Sequence, residues 1–129
     1  MTANIRRTDE EICRDALKFV TIYNESADSR REKMSLLYSS AEPTLVFNGN
    51  CMQGTQQIQE FWSGLPSTEH ELKCSDVQKL PSEAEKILLV QNMGTVSING
   101  LTHGYSQTLF LIFEDGNYRI KSDRYRFID

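Results

Sequence analysis

Side chains able to act as acids, bases, nucleophiles or metal ligands are present in this chain, but not at the spacings those chemistries need. Cys13, Cys51 and Cys74 are odd in number, far apart and without a CxxC pair. They are therefore expected as buried thiols, not as a disulfide framework or a thiolate metal site. His70 and His103 have no cysteine or second histidine nearby, so no zinc site is expected. His103 precedes Gly104 near a hairpin tip, which points to exposure instead of catalysis. No Ser/His/Asp or Cys/His grouping stands out, and no glycine loop is built for phosphate. Asp123 shares strand parity with Tyr125 and Phe127, an inward position suited to a structural hydrogen bond. No catalytic residue, metal or cofactor is expected.

The chemistry that does stand out is that of a surface. In the last strand Ser122, Arg124 and Arg126 fall on the side opposite Tyr125 and Phe127. In the preceding strand Ser106, Thr108, Phe110 and Ile112 oppose Tyr105, Gln107, Leu109 and Leu111. One strand earlier, Leu89, Gln91, Met93 and Thr95 alternate with Leu88 and Val90. One set is large and apolar, as an interior requires. The other mixes small polar residues with Met93, Phe110, Ile112 and two arginines. The alternatives are an ordinary half-exposed sheet face and a docking surface; Met, aromatic residues and Arg are over-represented in interfaces, and Phe110 and Ile112 beside arginines favour docking.

The elements that must position these residues follow from periodicity and turn chemistry. Thr8-Asp9-Glu10-Glu11 fits a capping box, and Ile12, Ala16, Phe19, Val20, Tyr23 and Ala27 continue as one helical stripe of about five turns. A short second helix is expected over Arg30–Tyr38, with Arg30, Arg31 and Lys33 on a solvated face. Thr44–Phe47 reads as a strand, Asn48-Gly49-Asn50 as a tight turn, and Gly54 opens a third helix carrying Ile58, Phe61, Trp62 and Leu65. Strands then follow at His70–Leu80, Lys86–Ile98, Leu101–Phe113 and Tyr118–Asp129. Their turns are expected at Pro81-Ser82-Glu83, Asn99-Gly100 and Glu114–Asn117. Helices at one end and an antiparallel meander at the other predict an α+β fold, a strongly curved sheet with about three helices on its concave side.

Length places all of 1–129 in a single domain. Fourteen basic against eighteen acidic residues give a formal net charge of −4, which argues against the chain gripping nucleic acid directly. Residues 1–7 do not resemble a signal peptide, and the longest apolar run, Leu109–Phe113, is far too short for a membrane span. The cytosol, the nucleus or both are the expected compartments.

Taken in order, Thr44–Asn50, Gly54, Phe61, Leu65-Pro66-Ser67, Tyr105-Ser106-Gln107 and Ser122–Phe127 resemble the nuclear transport factor 2 family over nearly the whole chain, and within it the mRNA-export branch. The resemblance implies a cone-like fold and a non-enzymatic role. It also implies a heterodimer with the nuclear transport factor 2-like domain of a large nuclear RNA export factor. Nucleoporin repeats and mRNA would then be met indirectly, through that partner, in a protein shuttling between nucleus and cytoplasm through the pore. By strand matching, Gln91, Met93, Thr108, Ser122 and Arg124 fall where the family places its dimer face. Arg126 falls on the arginine that in the export branch looks to an acidic residue of the large subunit.

Two alternatives come with the same resemblance. Homodimeric carriers of Ran in its GDP form use acidic residues, but this chain has Asn48 in the first turn and no Asp or Glu over Ser97–His103. Isomerases and dehydratases of the fold need an inward acid or base, and Asn48 stands where the isomerases carry an aspartate. Two copies of this face would also bring Arg124 and Arg126 together, which leaves room only for a weak homodimer.

Overall fold

A computed structural model describes residues 2–80 and 87–128, with side chains from residue 9 onward. The turn expected at Pro81-Ser82-Glu83 lies outside the described residues. Helix α1 spans Thr2–Ser29, a 3-10 helix spans Arg31–Leu37, and strands β1 (Thr44–Phe47) and β2 (Asn50–Gln53) precede helix α2 (Gly54–Gly64). Strands β3 (Thr68–Leu80), β4 (Ile87–Ile98), β5 (Leu101–Glu114) and β6 (Asn117–Phe127) complete the chain. Thr8 lies inside α1 and does not cap it, because no Pro or Gly breaks the helix between Thr2 and Ser29. The second helix is 3-10, with Met34 and Tyr38 buried beneath it.

The sheet order is β2-β1-β6-β5-β4-β3. β3 to β6 form the expected meander, whereas β1 pairs parallel with β6, from Thr44 opposite Ser122 to Phe47 opposite Tyr125. The sheet is therefore mixed. β2 was not anticipated: its four residues lie between a turn and a helix, too few to show alternation. Asn48-Gly49, Asn99-Gly100 and Asp115-Gly116 all take positive φ at both positions, the two-residue geometry that matches strand twist.

Both helices and the 3-10 segment cover one face of the sheet. Their buried residues Ala16, Val20, Tyr23, Ile58 and Trp62 share a core with Leu88, Val90, Tyr105, Leu109, Leu111 and Tyr125. Burial in β4 to β6 alternates as the parity argument requires, with one interruption. A bulge at Lys121 sets Leu111 opposite Ile120 and Phe110 opposite Ser122, so Ile120 and Asp123 are both buried although three residues apart. A second bulge at Lys73 shifts β3 against β4 between Leu72 and Cys74. Next to it, a Cβ on Gly94 would meet the Glu71 carbonyl oxygen at 2.1 Å, so this crossing is open only to glycine.

Candidate functional site

The face of the sheet turned away from the helices is built in rows fixed by register. Met93, Ser106 and Arg126 form one row across β4, β5 and β6. Gln91, Thr108 and Arg124 form the next, which continues to Val46 of β1 and begins at Asp76 of β3. Leu89, Phe110 and Ser122 form the third. All seven residues singled out from the sequence thus lie on one face, in three adjacent rows about 7 Å apart along the strands.

Exposure on this face is mixed. Met93 is 49% exposed, Gln91, Arg124 and Arg126 are exposed, and Thr108, Phe110 and Ser122 are half-buried. Among the described residues neither arginine makes an ion pair. Asp76 is the acid in the row of Arg124, but three strand spacings separate them, about 14 Å, beyond the screening length at physiological salt. The face therefore presents two guanidinium groups beside partly exposed apolar surface, with no described carboxylate paired to either.

The opposite face holds a bonded polar network, although the buried Tyr105 hydroxyl has no hydrogen-bond partner among the described residues. Asp123 is fully buried, and its Oδ2 accepts from the hydroxyls of Tyr23 and Tyr38, each at 2.7 Å. Gln107 Nε2 donates to Oδ1 at 3.0 Å, Asn92 donates to Gln107 at 3.1 Å, and Ser75 donates to Asn92 at 2.6 Å. Burial pushes the Asp123 carboxyl above its ordinary range, and the bonds from Tyr38, Gln107 and Tyr23 pull it back only in part. The hydrogen bonding expected of an inward Asp123 is present.

A second carboxylate behaves oppositely. Burial raises Asp28 too, but His70 Nδ1 at 2.7 Å, the His70 backbone N–H and Thr68 Oγ1, each at 2.8 Å, together bring its pKa below the ordinary value. His70 Nε2 lies 2.7 Å from the Tyr125 hydroxyl, so the histidine joins α1 to β6. This link was not legible in the sequence, where Asp28 and His70 stand 42 positions apart. Asn92 and Gln107 did leave a signal: each is polar at a buried parity position.

Three expectations are corrected. The cysteines are exposed: Cys74 sits on the outward face of β3, Cys51 on the edge strand β2, and Cys13 on the solvent side of α1. Arg31 is not part of a solvated face. Its guanidinium donates to the carbonyls of Ala27, Trp62, Leu65 and Pro66, which ties the C-terminal ends of both helices to the start of β3. A cation there also suits the partial negative charge of helix ends. His103 is only half-exposed and stacks on Phe127 with ring centroids 4.3 Å apart.

Asn48 is a turn residue. Its Oδ1 accepts from the Phe127 N–H at 2.7 Å, and its own N–H donates to the Tyr125 carbonyl at 2.9 Å, so it closes β1 onto β6. No described helix is long and apolar enough to cross a membrane, and no described cluster of three or more His, Cys, Asp or Glu could hold a metal ion.

With this geometry in place, residues 16–127 match the model of the nuclear transport factor 2 (NTF2) domain. The chain belongs to that family. It is 38% identical to the NTF2-related export protein of Caenorhabditis elegans, over 99% of this chain and 96% of that one. It is 31% identical to the NTF2-related export protein 2 of Bos taurus, over 100% and 96% of the two chains. Among solved structures it resembles the Candida albicans Mtr2–Mex67 M domain complex, with a TM-score of 0.73 at 16% identity, covering 88% of this chain and 93% of that one. Both of these relatives are named as export proteins.

Proposed function

We propose that this NTF2-family chain is a non-enzymatic cofactor of nuclear mRNA export that pairs through its outward sheet face with a larger export factor carrying a domain of the same fold. The observation that carries this reading is the pair Arg124 and Arg126, exposed and without an ion pair among the described residues, beside Met93 and Phe110. An arginine partly desolvated by a partner costs free energy unless a carboxylate meets it, so the occupant of this face must be acidic opposite β6. The names of the relatives support export as the process, and the Mtr2–Mex67 M domain complex is a precedent for a protein of this fold in a two-component assembly.

The mRNA would be contacted through the partner, because a net charge of −4 gives this chain little hold on a phosphate backbone, and nucleoporin repeats would be met through the same partner. Shuttling between nucleus and cytoplasm follows from that role. Size-exclusion chromatography with light scattering, with and without the partner domain, tests the pairing. A one-to-one complex with the wild-type chain, lost in Arg126→Asp, is the expected result. A stable homodimer that excludes the partner would overturn it.

A further inference from the structure

In its three central rows the outward face carries charge on both sides and none between. Past the bulge at Lys73, the outward residues of β3 are Cys74, Asp76 and Gln78, opposite Met93, Gln91 and Leu89. Asp76 is exposed and makes no ion pair among the described residues. Before the bulge, Glu71 is outward too, but Lys73 answers it at 2.7 Å. In the three rows β4 and β5 place only Leu89, Gln91, Met93, Ser106, Thr108 and Phe110, all uncharged. β6 then brings Arg124 and Arg126.

The row Asp76, Gln91, Thr108, Arg124 thus runs from an anion through two neutral residues to a cation. Its ends are about 14 Å apart against a screening length of about 8 Å, so neither neutralises the other. Once an occupant displaces the water, each end needs its own counter-charge. An occupant acidic throughout would satisfy Arg124 and Arg126 but set like charges at Asp76, which costs affinity.

A second copy of the chain fits poorly as well. Turned about an axis along the strands, midway between β4 and β5, it keeps the rows. Asp76 then meets Arg124, while Arg126 meets Cys74. Turned about an axis across the strands, it sets β6 on β6 and brings the arginines together.

We propose that Asp76 sets the orientation of the partner on the outward face: it meets a lysine or arginine of the partner's sheet, while Arg124 and Arg126 meet carboxylates. Turning the partner end for end in the plane of the interface would then oppose like charges on both sides. This rests on the reading of that face as the docking surface, and adds the reversal of sign that the partner must carry across it.

The full chain is titrated with the nuclear transport factor 2-like domain of a large nuclear RNA export factor, in a kinetic binding assay at low and high salt. Asp76→Lys should weaken binding by about tenfold, mostly through slower association, and the loss should shrink at high salt. Asp76→Asn should weaken it by less. Glu60→Lys makes the same change in net charge at an exposed position of α2, and should bind like wild type. Circular dichroism checks the fold of each variant, which an exposed position on the edge strand β3 should preserve. Wild-type affinity in Asp76→Lys, or an equal loss in Glu60→Lys, would overturn this inference and leave the docking face standing. No binding by the wild-type chain would overturn the functional reading, and the orientation role of Asp76 with it.

Discussion

The two faces of one sheet treat their polar groups in opposite ways. On the inner face Asp123, Gln107, Asn92 and the hydroxyls of Tyr23 and Tyr38 are buried and bonded to one another. On the outer face Arg124 and Arg126 are exposed beside Met93 and Phe110, with no ion pair among the described residues. Alternate residues of the same strand, β6, supply both sets. A buried polar group must find its partner within the fold, or folding is penalised. An exposed one can leave the partner to another molecule. Inner polar residues should therefore govern stability, and outer ones binding.

The largest expected effect breaks the inner network. Asp123→Ala removes the acceptor of Tyr23, Tyr38 and Gln107 and should destabilise the chain by about 3–5 kcal/mol, measured by urea unfolding. The matching change outside is Arg126→Ala. It should weaken the proposed heterodimer by about 2–5 kcal/mol, mostly through faster dissociation in a kinetic binding assay. Its unfolding free energy should stay within about 0.5 kcal/mol of wild type. If Arg126→Ala unfolded the chain as readily as Asp123→Ala, the division between the faces would fail.

Gly94→Ala sharpens the comparison at the backbone level. The added Cβ would lie against the Glu71 carbonyl beside the bulge, so a loss of about 1–3 kcal/mol in thermal or urea unfolding is expected. Alanine at Gly64, where a Cβ meets nothing within 4 Å, is the control and should change stability little.

The smallest effect is a pH dependence with opposite signs at two acids. The pKa of Asp28 is lowered by folding, so its contribution is present above the unfolded value and lost as pH falls through the folded value, in the range below about 4. The pKa of Asp123 is raised, so its ionisation weighs against the fold as pH rises above the unfolded value, and acid relieves it. Melting temperature followed from neutral pH into acid should fall less steeply in Asp28→Asn than in wild type, and more steeply in Asp123→Asn.

Much of this was legible in the residues because it is local. Asn-Gly and Asp-Gly accept positive φ at both turn positions, so the β1–β2, β4–β5 and β5–β6 turns are encoded where they occur. Alternation with a period of two assigned β4, β5 and β6 to their two faces, and with them the places of Gln91, Met93, Thr108, Phe110, Ser122, Arg124 and Arg126. What only the tertiary structure decided depends on segments distant in sequence. The parallel pairing of β1 with β6 joins residues about 78 positions apart, and no periodicity within either strand records it. The bulges at Lys73 and Lys121 change parity partway along a strand, which a uniform period cannot show. Cysteines predicted as buried thiols became exposed, and a basic residue predicted as solvated became the clamp of two helix ends, because burial depends on what packs above a residue. Asp28 and His70 met for the same reason: a helix end and a strand start were brought together by the closing of the whole sheet over α1.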